Sequence, residues 1–200
     1  MSERPRLFFA LTLPEPGRRA LVGLQAALAR ELGTRARRVE PANLHVTLAF
    51  LGSVAPELVP ALAALARELA GQAAPIEAEW RQVTAFPSPA RARLVVAELD
   101  DHQGALRTLA SRVARGVEAF GISPEAREYR PHVTLARLRG HASLEVAPDR
   151  PRLDGALVLE ELALFRSELR PAGSVYTALA SARLGEPSSE LPRRTDPTSA

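Results

Sequence analysis

Short apolar runs alternate along this chain with segments in which leucine recurs every three or four residues. The first kind reads as buried strand and the second as amphipathic helix. Residues 6–13 are expected to form a strand ended by Pro14 and Pro16. A helix follows with Leu21, Leu24, Leu28 and Leu32 on one face and Gly33 as its stop. Residues 43–52 read as a second strand. A second helix begins near Pro56, carries Leu58, Leu62, Leu65 and Leu69, and stops at Gly71. Strands are expected at 76–86 and 93–99 on either side of Pro87-Ser88-Pro89. Asp100 or Asp101 can cap a third helix, whose Leu106, Leu109, Val113 and Val117 form a stripe ended at Gly121. A strand at 131–138 comes next, then a looser segment at 141–154. Strands at 156–166 and 175–180 flank Pro171-Ala172-Gly173, and a tail rich in Pro, Ser and Thr, expected to be disordered, runs from 185 to 200.

This pattern contains a repeat. His45 lies 39 residues after Arg6, His132 lies 39 residues after Arg93, and both histidines open the tetrapeptide His-Val-Thr-Leu. Each stretch reads strand, helix, histidine strand, and each histidine strand is followed by a strand pair around a Pro-rich turn. The expectation is one domain over 1–184, built from pseudo-repeats at about 5–92 and 93–182. Duplicated units of this kind usually pack about a pseudo-twofold axis, which would set the two histidines across one cleft.

Composition narrows the chemistry. All 26 basic residues are arginine, against 23 acidic ones, and cysteine is absent. Without cysteine there is no disulfide, thiolate metal site or cysteine nucleophile, which suits the cytoplasm. Without lysine there is no Schiff base, P-loop lysine or lysyl–nucleotide intermediate, so ligation through a nucleotide-charged lysine is excluded. The first residues run straight into a strand without a signal-peptide layout, and no apolar run is long enough for a membrane span.

Side chains alternate faces along a strand, so His45 and Thr47 point one way while Val46 and Leu48 point into the core. His132 and Thr134 stand in the same relation to Val133 and Leu135. Two imidazoles and two hydroxyls then face a common space. One neutral imidazole can take a proton from water while a protonated one gives a proton to a leaving alkoxide, and the hydroxyls can donate to phosphoryl oxygens. Which histidine is acid and which base stays open. Arg137 lies five residues after His132, on the opposite face of a regular strand, and reaches a phosphate only if a bulge, a twist or the strand end turns it. Phe50 is either core or a base-stacking surface, and Tyr129 and Arg130, just before His132, are placed to reach the groove rim. No metal or other cofactor is required. His102 and His141 lack a partner pattern and read as surface residues.

The paired His-x-Thr-x motifs resemble those of the two-histidine (2H) phosphoesterase superfamily. The segments Asn43-Leu44-His45-Val46-Thr47-Leu48-Ala49-Phe50-Leu51-Gly52 and Pro131-His132-Val133-Thr134-Leu135-Ala136-Arg137 resemble its bacterial RNA 2′,3′-cyclic phosphodiesterases, also called 2′-5′ RNA ligases. The likeness spans roughly residues 5–182. It implies a bilobal α+β fold, with two antiparallel sheets lining a central groove and helices outside. It also implies hydrolysis of an RNA 2′,3′-cyclic phosphate to a 2′-phosphomonoester without metal or ATP, with His45 as proton donor and His132 as proton acceptor. The implied partner is RNA or a nucleotide with a cyclic end. No membrane or protein partner is implied, and a monomer is expected. Two other readings remain: ATP-independent 2′-5′ joining as the working direction, and a non-catalytic RNA- or nucleotide-binding module.

Overall fold

The computed structural model describes residues 4–123, 128–142, 144, 153–170 and 173–186. The expected disordered tail lies outside these residues from 187 onward, as do turn residues 171 and 172 and the side chain of His141. Twelve main elements are seen among the described residues. In chain order they are β1 (Arg6–Thr12), α1 (Glu15–Leu32), β2 (Ala36–Arg38), β3 (His45–Ser53), α2 (Val59–Gly71), β4 (Ile76–Phe86), β5 (Ala92–Asp100), α3 (Ala105–Glu118), β6 (His132–Ala142), β7 (Ala156–Leu159), β8 (Glu161–Arg170) and β9 (Gly173–Arg183).

The helices follow their leucine stripes. In α1, Leu21, Leu24, Leu28 and Leu32 are buried, and Gly33 turns to φ 53°, where its N–H donates to the Ala29 carbonyl. That left-handed turn is open to glycine without the Cβ clash other residues suffer. In α3 the stripe Leu106, Leu109, Val113 and Val117 is buried. Neither candidate is the N-cap, which is Gly104, but the Asp101 carboxylate accepts the Leu106 N–H in the first turn. No helix among the described residues is long and apolar enough to cross a membrane.

The strands form one curled antiparallel sheet with two arms running outward from its centre, β3–β1–β8–β9 and β6–β5–β4–β7. The arms meet at a single residue pair, Val46 with Val133. Each arm therefore begins with a histidine strand, and beside it lies the strand that opened the same strand–helix–strand unit. Two expectations are corrected here. The single strand expected at 156–166 is two, broken at Glu160: β7 pairs with β4 on one arm, while β8 pairs with β1 on the other. At that break the chain passes from one arm to the other. β2 was not expected at all; three residues, two of them arginine, are too few to show a period, yet they pair with β6. α1 packs near β6 and α3 near β3, so each helix covers the opposite arm's histidine strand. Val46 and Val133, fully buried, point into that helix-covered core. Their neighbours on the other face are the histidines and threonines.

Candidate active site

Strand alternation sets His45, Thr47, His132 and Thr134 on one face, and an antiparallel pair at Val46 and Val133 turns His45 toward Thr134 and Thr47 toward His132. Proximity of the rings shows in their electrostatics, since His132 acts on His45. Both strands then break parity at the same place. On β3, Phe9 pairs with Ala49 and Ala10 with Thr47, leaving Leu48 as an extra residue. On β6, Val95 pairs with Ala136 and Val96 with Thr134, leaving Leu135 as the extra one. These are β-bulges three residues after each histidine, and a bulge shifts every later side chain to the other face. Leu48 and Ala49 are accordingly both buried, as are Leu135 and Ala136. The residue five places after each histidine thus returns to the histidine face. It is Phe50 in one copy, 53% exposed, and Arg137 in the other, also exposed. Phe50 is not core, and Arg137 faces the site, where its charge is felt at His45.

The two rings are held alike. His45 Nδ1 donates to the Asn43 carbonyl and His132 Nδ1 to the Arg130 carbonyl, each at 2.7 Å. A carbonyl can only accept, so Nδ1 carries the proton and Nε2 is left for chemistry in both neutral rings. The Thr47 hydroxyl lies 2.9 Å from His45 Nε2.

Their surroundings differ. His45 sits among rings: Phe8 at 4.9 Å, Tyr176 at 5.4 Å and Phe165 at 6.2 Å between centroids. Burial there lowers its pKa to about 4; the Asn43 carbonyl opposes that shift, while His132 and Arg137 add to it. His132 stands edge-on to Phe86 at 4.8 Å, and its cross-strand partner is Glu98. Burial lowers its pKa too, but the Arg130 carbonyl and the Glu98 carboxylate push upward, against a smaller push down from the Arg130 guanidinium. Glu98 is 4% exposed. It accepts from Gln82 at 2.6 Å and forms an ion pair with Arg130.

Of the residues singled out from sequence, His45, Thr47, His132, Thr134, Phe50 and Arg137 share the face. Arg130 is at its edge but occupied, its guanidinium paired with Glu98 and stacked 4.2 Å over the Phe86 ring. Tyr129 does not reach the groove rim. Its ring packs on the core, its hydroxyl is buried, and burial with Asp101 nearby raises its pKa. The proline between Tyr129 and His132 separates a side chain that turns inward from one that turns out. His102 is on the surface, near Glu79 and Asp100. Sequence reading missed Glu98, Phe86, Phe8, Phe165, Tyr176 and the anchoring role of Asn43, whose side chain donates to the Ser174 carbonyl at 2.7 Å. Glu98 could have been found, as the one acid within the apolar run at 94–99. The phenylalanines look like any core residue.

Among known proteins, the family described as LigT-like phosphoesterase matches residues 11–96 and 98–176. A relative from Thermus thermophilus, named an RNA 2′,3′-cyclic phosphodiesterase, is 37% identical over 185 residues, covering 87% of either chain. A solved structure from the same species superposes with a TM-score of 0.77 at 34% identity, over 90% of this chain and 98% of that one. Escherichia coli LigT in complex with 3′-AMP gives a TM-score of 0.72 at 28% identity, over 92% of this chain and all of the other.

Proposed function

This chain belongs to the LigT-like phosphoesterase family, and from that premise we propose that it hydrolyses RNA 2′,3′-cyclic phosphate ends to 2′-phosphomonoesters by paired histidine acid–base catalysis. The observation that carries this reading is the pair of imidazoles on one sheet face, each with Nδ1 anchored on the carbonyl two residues earlier, which leaves Nε2 as the nitrogen that can exchange a proton, at His45 beside the Thr47 hydroxyl. The relatives' name and the 3′-AMP complex of E. coli LigT support RNA ends as the substrate class.

In the proposed reaction water attacks phosphorus and the bond to the 3′-oxygen breaks. His132 Nε2 takes the water proton and His45 gives its proton to the departing oxygen, so proton count and charge balance across one turnover. Glu98 suits the base role, because a carboxylate near His132 favours the imidazolium that forms there. His45 suits the acid role differently. Its low pKa makes the protonated ring a strong donor but a rare one, and the substrate's phosphate anion supplies the field that loads it. Thr47, Thr134 and Arg137 hold the non-bridging oxygens as charge gathers on them. No metal is needed in this scheme, and Glu98 is already taken by Gln82 and Arg130.

The test is an RNA ending in a 2′,3′-cyclic phosphate, incubated with EDTA and without ATP. Conversion to the 2′-monoester is expected. An inactive chelated protein restored by zinc or magnesium would reject the metal-free scheme, and a 3′-monoester product would reject the leaving group.

A further inference from the structure

We infer that a groove leading from Arg137 past β2 to the β8–β9 hairpin is a phosphate track for the RNA chain on the 5′ side of the cyclic end; the inference rests on the reaction proposed above. Arg37 on β2 and Arg137 on β6 are direct cross-strand partners. Both are exposed, and neither meets a carboxylate among the described residues. Like charges set opposite one another destabilise a strand pair. An anion lying between the two guanidiniums reverses that sign.

The groove has the shape for a chain rather than one ion. A cavity of about 230 Å³ is lined by Arg37, Arg38, Arg137 and Arg170, with Asn43 and Tyr176 at its His45 end and Glu40 as the one acid among the described residues that line it. Arg170 is partly neutralised by Glu168 at 2.9 Å. Arg37, Arg38 and Arg137 meet no carboxylate among the described residues. The far wall is fitted to Arg37: a Cβ on Gly173 would fall 2.5 Å from its Nη2, so the glycine lets the guanidinium lie against the hairpin. Asn43 and Tyr176 flank His45 as well as the cavity. An RNA whose terminal phosphate is at the histidines therefore has its next phosphates beside these arginines. Planar guanidiniums in a row suit phosphodiesters, which each present two non-bridging oxygens.

The experiment compares a nucleoside 2′,3′-cyclic phosphate, the same compound with a 5′-phosphate, and a tetranucleotide with the same cyclic end. The proteins are wild type, Arg37→Gln, Arg38→Gln and the double variant. Wild type should favour the tetranucleotide in kcat/KM by about tenfold or more. The double variant should lose most of that preference while its rate on the unphosphorylated mononucleotide stays unchanged. The slope of log kcat/KM against log salt should flatten by about 0.7 for each arginine removed, as counterion release from single strands requires. A gain from the 5′-phosphate alone, with nothing further from the longer chain, would restrict the site to one phosphate and overturn the track. Equal losses on all three substrates, or none, would also overturn it. Anisotropy titration of a labelled tetranucleotide with a 2′-phosphate end needs no turnover. If wild type hydrolyses nothing, the proposed reaction fails; the track then stands or falls on whether the double variant weakens that binding about tenfold. Tm should hold or rise in Arg37→Gln and the double variant, because the repulsive pair with Arg137 is removed.

Discussion

The two copies of the motif share a frame and differ in everything that surrounds it. Each places a histidine at the head of a strand, anchors Nδ1 on the carbonyl two residues back, and bulges three residues on. The anchoring residue is itself pinned in both, Asn43 to the Ser174 carbonyl and Arg130 to Glu98. Beyond that frame the copies diverge. His45 has aromatic walls, and its bulge delivers Phe50. His132 has a buried carboxylate across the strand, and its bulge delivers Arg137. Duplication supplies two equivalent imidazoles, and two equivalent imidazoles have no reason to take different roles. The divergent neighbours provide the reason, one ring in an apolar setting where its proton is held weakly and one beside an anion where it is held better.

The largest effects should come from removing either ring. His45→Ala and His132→Ala should each lose about 10² to 10⁴ in rate, the usual range for a positioned acid or base, and the double variant should lose little more. A substrate whose 3′-oxygen is replaced by sulfur separates the roles, because a thiolate leaves without being protonated. It should restore much of the rate to His45→Ala and none to His132→Ala. Rescue of His132→Ala instead would reverse the assignment, and rescue of both or neither would break the distinction between the copies.

The residues five places on come next, and they should fail in different ways. Arg137→Ala should lower kcat by about 10² to 10³, comparable to losing a donor that serves the transition state. Arg137→Lys should recover part of it, because an ammonium lacks the bidentate fork. Phe50→Ala should leave kcat near wild type and raise KM by the equivalent of ~1–3 kcal/mol, the usual worth of a base stacked on an aromatic ring. Since Phe50 is half in solvent, its loss should hardly move Tm. Phe8, 1% exposed beneath it, is the contrast. Phe8→Ala should cost about 3–5 kcal/mol in chemical denaturation. A Phe50→Ala protein with normal KM would remove the aromatic copy from substrate binding.

How much of this was legible beforehand follows from what leaves a mark in one dimension. The histidines stood out because a polar pair inside an apolar strand occurred twice at one spacing, and the helices because leucine kept its period. The bulges left no mark: Leu48 and Leu135 are ordinary core leucines, with no glycine or turn residue to announce the shift. Arg137 and Phe50 were therefore ambiguous, each hanging on a parity that only strand pairing decides. β2 and the break at Glu160 were hidden for a related reason, since both are set by partners more than a hundred residues away in sequence or across the sheet. Tyr129 was misplaced because adjacency to a histidine of the site says nothing of direction.

The smallest predicted effect bears on the role assignment. In the free protein both histidines are depressed, His45 to about 4 and His132 below its ordinary value. The bell in kcat/KM, which reports the free enzyme, should therefore lie on the acid side of neutrality. The bell in kcat should lie at higher pH, because the bound phosphate favours imidazolium. These limbs belong to the pair, but their heights do not. Above both values the productive form is the one with a proton on the acid histidine alone, so the alkaline rate scales with that ring's own proton affinity. Glu98→Gln removes the anion that raises His132 and leaves His45 nearly untouched. With His132 as base, the alkaline rate should fall only a few-fold, through a weaker base, while the acid limb moves to lower pH. With His132 as acid, the alkaline rate should fall about tenfold for each pK unit His132 loses. Profiles of wild type and Glu98→Gln from pH 4 to 9, with the thio-substituted substrate as control, decide between them. On that substrate no proton need be delivered, so the few-fold fall caused by a weaker base should persist if His132 is the base, whereas a fall caused by a poorer acid should disappear if His132 is the acid.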